Sequence, residues 1–297
     1  MSFGILRYCG GKSKSSIINK IKKYFPDKFD YFFEPFCGSA SITLSIPPKS
    51  VKGRWINDLD SNLISVYLAL RDRPGAFIAS CKAIQPQQEG EELTSSRPGG
   101  AEIYNARLKD KFDELLADPN ADPALKYLFI NKTNWGGRVN YNEPSQLYFS
   151  NPQGWDIVKT KRLEKISERL QGVKITCGDY SVLLEEEIEN GLVYCDPPYW
   201  KDTELDKVRK LYANGFTEED HIKLAERLKK CKHKIVLSYD DVPQIRELYK
   251  NDFYIYEEEW TYCGTSSSGH ANNSKIKKVG KELIITNFEK EIEGMVF

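Results

Sequence analysis

The second half of the chain alternates between two hydrophobic periods. Short apolar runs such as "LVYC" at 192–195 and "KIVLSYD" at 234–240 are typical of buried strands. Between them, "TEEDHIKLAERLKK" at 217–230 repeats its apolar residues every three or four positions, as an amphipathic helix does, and it begins with a T-x-x-D capping pattern. Earlier, 173–180 predicts a strand and 181–189 a helix. This rhythm predicts an α/β fold in which helices cover a mostly parallel sheet.

The two ends of the chain extend this pattern. The segment "SSIINKIKKYF" at 15–25 predicts an amphipathic helix that Ser15 or Ser16 could cap, and "YFF" at 31–33 predicts the first strand. Near the C-terminus, the strands predicted at 253–260 and 281–288 have no helix between them. We therefore expect these two strands to pair as an antiparallel hairpin at one side of the sheet.

A long segment interrupts the alternation of strands and helices. Three β-α units need roughly 60–70 residues, whereas Gly38 and Asp196, which end two predicted strands, lie 158 positions apart. The excess contains two helical patterns and a polar segment at 85–100. It predicts a core domain formed by 1–62 and 161–297, with a mostly helical domain inserted at 63–160.

The charge balance conceals two basic segments. The 297 residues carry 43 basic and 43 acidic side chains, but residues 1–28 have seven basic side chains against one acid, and 261–281 have four lysines and no acid. A neutral total therefore does not exclude a polyanionic partner. Seven cysteines without C-x-x-C spacing and three unpaired histidines favour reduced thiols and no metal site. Without a signal peptide or an 18-residue apolar run, we expect a cytoplasmic protein that does not enter a membrane.

Three predicted strands end in residues that suit an adenosine. After the first strand, Gly38 with the small residues Ser39 and Ala40 lets the backbone approach a ligand closely and then start a helix. Asp58 follows twenty residues later, a spacing that suits a carboxylate accepting both ribose hydroxyls. Asp179 is placed to accept from an adenine amino group. These residues predict a nucleoside pocket at the carboxyl edge of the sheet.

The patterns that bind phosphates are missing. No G-x-G-x-x-G is present, and the "GGKS" at 10–13 fails as a P-loop because Leu6 stands where its first glycine should be. A cofactor with an adenosine and no phosphates fits better, and S-adenosylmethionine is such a cofactor. Its carboxylate could be held by Lys12 and the glycine backbone of "RYCGGK".

The stretch "CDPPYW" at 195–200 carries the candidate chemistry. An exocyclic aromatic amine is a poor nucleophile because its lone pair is delocalised into the ring. Asp196 and the carbonyl of Pro197, held in place by Pro197 and Pro198, could accept the two amine hydrogens and make the lone pair more available. Tyr199 offers a face on which a base can stack, worth roughly 1–3 kcal/mol. A base within a duplex must first be flipped out to reach such a site.

Taken in order, these motifs resemble those of the Dam-type DNA N6-adenine methyltransferases with the alpha motif order. "RYCGGK" resembles their first cofactor motif, "FEPFCGSAS" their glycine motif and "NDLD" their ribose acid. "CGDY" and "CDPPYW" resemble the adenine-side acid and the catalytic motif, and "GKELIITN" the closing strand. The resemblance covers nearly the whole chain. It implies a Rossmann-like methyltransferase sheet, S-adenosylmethionine as cofactor, and methylation of adenine N6 in double-stranded DNA.

The resemblance and the strand ends together provide two sets of candidate residues. The catalytic set is Asp196, Pro197, Pro198 and Tyr199. The cofactor-binding set is Tyr8, Gly10, Gly11, Lys12, Glu34, Pro35, Phe36, Gly38, Ser39, Ala40, Asp58, Asp179, Tyr180 and Asp196.

In this family the insertion is the target-recognition domain, and here it contains "FINKTNWGGRVNYN". Arginine and asparagine can read guanine and adenine edges, and aromatic side chains can wedge into a base stack. The lysine-rich segment 263–281 is expected to contact phosphates, which position a protein on DNA without specifying sequence. The DNA-binding candidates are Lys132, Asn134, Trp135, Arg138, Asn140, Tyr141, Lys275, Lys277 and Lys278.

Several alternatives stay open at the level of sequence. A ribosomal RNA methyltransferase can carry a similar catalytic turn, a cytosine-N4 enzyme usually has serine where Asp196 stands, and an inactive DNA-binding regulator could share the fold. The GATC specificity of the family's best-known members is not carried over, because "NEPSQLYFSNP" replaces their usual segment after the recognition loop. We expect a monomer that uses no metal, with a cognate restriction enzyme as a candidate partner.

Overall fold

The structure, a computed structural model, describes residues 4–6, 11–84, 100–133, 139–141, 147–148, 160–200, 216–262 and 278–291. Its strands are β1 (Tyr31–Glu34), β2 (Gly53–Asp58), β3 (Asn140–Tyr141), β4 (Leu147–Tyr148), β5 (Val173–Cys177), β6 (Gly191–Cys195), β7 (Lys234–Asp240), β8 (Tyr254–Tyr262) and β9 (Lys278–Thr286). Its α-helices are α1 (Ser15–Lys22), α2 (Ser41–Ser45), α3 (Ser61–Asp72), α4 (Pro74–Ala83), α5 (Gly100–Ala117), α6 (Pro123–Thr133), α7 (Thr160–Leu170), α8 (Ser181–Leu184), α9 (Glu218–Lys230) and α10 (Pro243–Tyr249).

Seven strands form one sheet in the order β5-β2-β1-β6-β7-β9-β8. Neighbouring strands from β5 to β7 are parallel, and β9 runs antiparallel to both β7 and β8. The last strand in the chain therefore lies between two strands that precede it. The α/β fold, the mostly parallel sheet and the antiparallel C-terminal hairpin predicted from the sequence are confirmed.

The two faces of the sheet bury alternate residues of each strand, as a strand period of two requires. On one face, Val193 and Leu237 pack in a core that includes the apolar sides of α9 and α10. On the other, Leu192 and Val236 pack in a core with the isoleucines of α1. Both faces of the central strands are covered, which explains why their sequences are almost uniformly apolar.

Helix α3 continues the core around β2 and crosses the predicted domain boundary. Its residues Leu63, Val66 and Leu70 are fully buried in a cluster that also contains Ile56 of β2 and Val173 of β5. Apolar residues of α4, α6 and α7 enlarge the same cluster. Residue 63 thus lies within a helix that packs on the sheet. The division into a core domain and an inserted domain remains a prediction.

Local signals account for several helix ends. Thr217 and Asp220 form the predicted capping box of α9, and Gly172, with φ of 71°, follows α7 in the left-handed conformation that glycine tolerates. Two expectations were wrong. Lys14 stands at the N-cap position of α1 without a side-chain cap hydrogen bond, in place of Ser15 or Ser16, and α8 ends at Leu184, well before 189. Within the described ranges, no helix has the length and apolarity needed to cross a bilayer.

Candidate active site

Strands β2, β1 and β6 lie side by side and run in the same direction, so their C-terminal residues meet at one edge of the sheet. After β1 the chain turns through Gly38 and Ala40, both left-handed with φ of 42° and 49°, and enters α2. The turn is fixed on two sides. The Tyr67 hydroxyl donates to the Gly38 carbonyl (2.6 Å), and the Cys37 amide donates to the Asn57 carbonyl (2.9 Å).

Asp58 ends β2 directly beside this turn. One carboxylate oxygen accepts from the Gly38 amide (3.0 Å) and the other from the Asp60 amide (3.1 Å). Burial raises the pKa of Asp58 to about 6. A carboxylate oxygen has more than one acceptor site, so these bonds leave Asp58 able to accept from ribose hydroxyls.

Glu34 ends β1 and is turned into the protein, where it is 3% exposed. Its carboxylate accepts from the Thr43 amide (3.0 Å) and from the Thr43 hydroxyl, which ties β1 to α2. Burial raises the pKa of Glu34 to about 8, although both bonds from Thr43 act in the opposite direction. The described contacts of Glu34 therefore support the turn.

Asp196 follows β6 and is the centre of a polar cluster. Its Oδ1 accepts from the Ser238 hydroxyl (2.8 Å) and from the ammonium of Lys12 (3.0 Å), which lies 3.3 Å from Oδ2. The Lys12 side chain is 3% exposed and that of Asp196 is 20% exposed. Buried Pro197 and half-buried Pro198 then lead the chain away from the strand. A lysine from the N-terminal segment thus orients the carboxylate of the predicted catalytic turn.

Tyr199 extends this cluster to β9. Its hydroxyl lies 2.7 Å from the Lys12 ammonium and 2.6 Å from Oε2 of Glu282. Burial, followed by the charges of Asp196 and Glu282, raises the pKa of Tyr199 well above its usual value. The hydroxyl consequently keeps its proton. It accepts from Lys12 and donates to Glu282, and the residue as a whole is half-buried.

The residue after the catalytic turn is anchored to β7 and α9. The Trp200 amide donates to the carboxylate of Asp240 (3.3 Å), and its ring lies 4.8 Å from that of His221. Buried His221 in turn shares a hydrogen bond with the Tyr239 hydroxyl (2.6 Å). The catalytic turn is therefore held at both ends by structured elements.

An aromatic pair lies near the remaining predicted cofactor residues. The rings of Phe36 and Tyr180 are 4.9 Å apart and tilted by 30°, and burial raises the pKa of Tyr180 to about 12. Asp179 accepts from the Ser181 amide (2.9 Å) and so helps to start α8. Asn57 links both sides of this region, because its amide donates to the carbonyls of Gly178 (2.8 Å) and Pro35 (3.3 Å).

The chemistry of these groups fits a cationic adenosine ligand. Asp58, Asp196 and Glu282 bring three carboxylates to this part of the sheet, and Lys12 is a cation that contacts two of them. S-adenosylmethionine carries a sulfonium and an ammonium against one carboxylate, and its ribose can donate to Asp58. The left-handed turn at Gly38 exposes backbone beside that carboxylate. The residues present therefore suit this cofactor.

The other predicted site residues fall into two groups. Gly11 directly precedes Lys12, and buried Ser39 shares a hydrogen bond with the Ser41 hydroxyl (2.8 Å). Lys132 is near the end of α6 and donates to the Ile5 carbonyl, so its described contact is within the protein. Outside the described residues lie Tyr8, Gly10, Asn134, Trp135, Arg138, Lys275 and Lys277.

The short strands near the predicted DNA-binding residues form a hairpin. Asn140 and Tyr141 make up β3, which pairs antiparallel with Leu147 and Tyr148 of β4. Lys278 begins β9. Contact between these residues and DNA remains a prediction.

The order of these strand-end residues matches a known family. The family model described as "D12 class N6 adenine-specific DNA methyltransferase" matches residues 8–263. The chain belongs to this family. It is an S-adenosylmethionine-dependent, adenine-specific DNA methyltransferase, which confirms the predicted activity and cofactor and displaces the ribosomal RNA and cytosine-N4 alternatives.

Similar proteins carry matching names. The chain is 28% identical to "Type II methyltransferase M1.LlaDCHI" of Lactococcus lactis subsp. cremoris, across 95% of this chain and 94% of that protein. It is 25% identical to "Retron Ec67 DNA adenine methylase" of Escherichia coli (92% and 89%) and 24% identical to a "DNA adenine methylase" of Vibrio cholerae serotype O1 (82% and 84%). A solved putative methyltransferase complexed with SAH, SMU.472, aligns at 13% identity with a TM-score of 0.36, covering 97% of this chain and 55% of that one, too weakly to add an argument.

Three residues of the methyltransferase site were missed from the sequence. Ser238 and Glu282 contact Asp196 and Tyr199, and Asn57 links the loops after β1 and β5. The signal for Glu282 was present in "GKELIITN", where one acid begins an otherwise apolar run. A buried carboxylate requires a partner, so that acid could have been flagged.

Proposed function

We propose that Asp196, Pro197 and Tyr199 carry the methyl transfer to adenine N6, and that Lys12 orients Asp196. The observation behind this proposal is the cluster in which Lys12 contacts both Asp196 and Tyr199 at the end of β6. It joins the predicted cofactor lysine to the predicted catalytic turn although the two are 184 positions apart.

The two oxygens of Asp196 have different surroundings. Oδ1 accepts from Ser238 at 2.8 Å and from Lys12 at 3.0 Å, whereas Oδ2 has the longer contact with Lys12, at 3.3 Å. We therefore assign Oδ2 as the acceptor for one hydrogen of the adenine amine. The Pro197 carbonyl accepts the other, so that the nitrogen becomes more tetrahedral and its lone pair is directed at the methyl group.

S-adenosylmethionine supplies a methyl group activated by its sulfonium. In our proposal Asp58 accepts from the ribose hydroxyls, and the turn at Gly38 lets the backbone lie against the ligand. Phe36 and Tyr180 form the aromatic side of the pocket for the adenine of the cofactor. After methyl transfer the amine is cationic and loses one proton to the Asp196 carboxylate, which releases it to solvent, so Asp196 need not be a strong base.

We propose that the inserted segment 63–160 reads the DNA sequence and that the catalytic domain is formed by 1–62 and 161–297. Support for this division comes from the chain length between motifs and from the mixture of Arg138, Trp135 and asparagines in the sequence. A target adenine must leave the duplex, at a cost of a few kcal/mol. Stacking on Tyr199 offsets part of that cost.

The role of Asp196 is tested with Asp196→Ala, using Asp241→Asn as the control. Asp241 is a carboxylate that directly follows β7 and is bound by Arg246 (2.6 Å). We expect Asp196→Ala to slow single-turnover methylation of duplex DNA by roughly 10²–10⁴-fold, the range for a group that assists proton movement, with the fold retained by circular dichroism. Near wild-type turnover would refute the role of Asp196, and sequencing of DNA methylated by the wild type would identify its target site.

We also propose that the enzyme is a monomer and is accompanied by a restriction enzyme of the same specificity. The name "Type II methyltransferase" of a relative supports the second part. Light scattering measures the mass of the free protein, and resistance of methylated DNA to candidate restriction enzymes tests the pairing.

A further inference from the structure

Glu282 is a buried carboxylate that the mechanism above does not use. It is 2% exposed and lies on β9, opposite Asp240 of β7 and Glu258 of β8. Directly opposite residues in antiparallel strands point to the same face, and like charges there repel. Three acids in one row across the sheet are therefore unfavourable unless cations or hydrogen-bond donors approach that face.

The donors come from two distant parts of the chain. The hydroxyl of Tyr199 donates to Oε2 of Glu282 at 2.6 Å, and the ammonium of Lys12 lies 3.5 Å from the same oxygen. Lys12 is at the same time 3.0 Å from Asp196. One ammonium is thus shared between a carboxylate of the catalytic turn and a carboxylate of the closing strand.

We propose that Glu282 is a positioning residue for methyl transfer. Glu282 keeps the Lys12 ammonium shared between its own carboxylate and that of Asp196. It also fixes the Tyr199 ring by accepting a hydrogen bond from the Tyr199 hydroxyl. This inference rests on the proposed role of Asp196. A carboxylate that is already bound tightly by a cation accepts a hydrogen bond from a neutral amine less well. Because Glu282 shares the Lys12 ammonium, Asp196 is a better acceptor for the adenine amine than it would be if it bound Lys12 alone.

Removal of the charge on Glu282 has a defined consequence. In Glu282→Gln the amide oxygen can still accept from Tyr199, but the attraction for the Lys12 ammonium is greatly reduced. Lys12 then moves toward Asp196 and occupies the acceptor oxygen that the amine needs. The expected defect lies in the methyl-transfer step and not in cofactor binding.

The neighbouring strand provides a matched control. We call Lys12, Tyr199 and Glu282 the inner triad, and Lys20, Tyr24 and Glu258 the outer triad. In the outer triad, Glu258 accepts from Lys20 (3.0 Å) and from the Tyr24 hydroxyl (2.9 Å). The two glutamates face each other on β8 and β9, and the outer one contacts no group of the catalytic turn in the described contacts.

The experiment compares Glu282→Gln with Glu258→Gln in the full-length enzyme. We expect Glu282→Gln to lower the single-turnover rate at saturating S-adenosylmethionine and duplex DNA by about tenfold or more. The dissociation constant of the cofactor, measured by calorimetry, should change by less than about threefold. Glu258→Gln should alter neither quantity.

A double variant separates positioning from a loss of structure. If Glu282 acts by holding Lys12, adding Glu282→Gln to Lys12→Met should not lower the rate further, since the interaction is already gone. A further loss of the same size in that background would overturn the proposal, as would equal rates for Glu282→Gln and Glu258→Gln.

Asp196→Ala is measured in parallel. Full turnover there would overturn both proposals, because Glu282 is argued to act through Asp196. An inactive Asp196→Ala together with a fully active Glu282→Gln would overturn only the role of Glu282.

Discussion

The inner and outer triads use the same three side-chain types around glutamates on neighbouring strands, yet they differ in burial and in the groups that they contact. Both lysines of the inner and outer triads come from the N-terminal segment, at positions 12 and 20. The Lys12 and Glu282 side chains are each 3% exposed, whereas those of Lys20 and Glu258 are 38% and 12% exposed. The inner triad also contacts Asp196.

This difference shows how one arrangement can serve two purposes. In the outer triad the partly exposed lysine also bonds the Glu259 carbonyl (2.6 Å), and the contacts hold α1 against the sheet. In the inner triad the same chemistry occurs at the carboxyl edge of parallel strands, where a ligand binds. Position in the sheet, more than residue type, therefore separates a structural cluster from a functional one.

The largest expected difference between the two triads is in the loss of stability when the lysine of each is replaced. Lys12→Met removes the cation that contacts buried Glu282 and half-buried Asp196, so we expect a loss of about 3–5 kcal/mol in the free energy of unfolding and a slower but still measurable methyl transfer. Lys20→Met breaks a partly exposed pair and should cost about 0–1 kcal/mol. Urea denaturation measures both values. Similar losses for the two variants would mean that burial does not distinguish the triads.

The tyrosines of the two triads are expected to differ in their effect on the rate of methyl transfer. Tyr199→Phe keeps the stacking ring but removes the hydroxyl bound by Lys12 and Glu282, so we expect the single-turnover rate to fall about tenfold. Tyr24→Phe removes the matching hydroxyl of the outer triad and should cost about 1 kcal/mol of stability with an unchanged rate. Rapid-quench kinetics and thermal melts test the pair, and a slower methyl transfer in Tyr24→Phe would contradict it.

The smallest effect concerns pH and Asp58. Because burial raises its pKa to about 6, Asp58 is ionised above that pH and can then accept fully from ribose hydroxyls. Ligand hydrogen bonds favour the ionised form, so cofactor affinity should be constant above about pH 6 and fall by up to about tenfold per pH unit below it. Calorimetry from pH 5 to 8 tests this, and Asp58→Asn should flatten the profile. Glu258→Gln should keep the wild-type profile, because Glu258 belongs to the outer triad.

The sequence predicted elements with a regular period more reliably than it predicted partners. The apolar run 192–195 and the amphipathic pattern 217–230 correspond to β6 and α9, because burial alone determines such patterns. The strand-end acids Asp58 and Asp196 could also be located, since parallel strands bring their ends together. The pairing of Lys12 with Asp196 was not predictable from spacing, because it depends on how an N-terminal segment crosses the sheet.

Other features were missed for a related reason. Periodicity shows that Glu282 lies in a strand, but its neighbours depend on the insertion of β9 between β7 and β8, which pattern alone does not specify. The predicted boundary at residue 63 rests on a count of residues and remains a prediction, and such a count carries no information about the packing of α3 on β2.

The position of β9 also has a consequence for how the protein is made. Strand β8 leaves the ribosome before β9, yet in the finished sheet its pairing partner is β9, whose other side pairs with β7. During synthesis β8 therefore cannot form its hydrogen bonds to the sheet until β9 has inserted beside β7. Glu282 arrives on that same strand. We expect nascent chains that stop before it to lack both a closed sheet and the inner triad, so that the active site is assembled only after β9 has been synthesised.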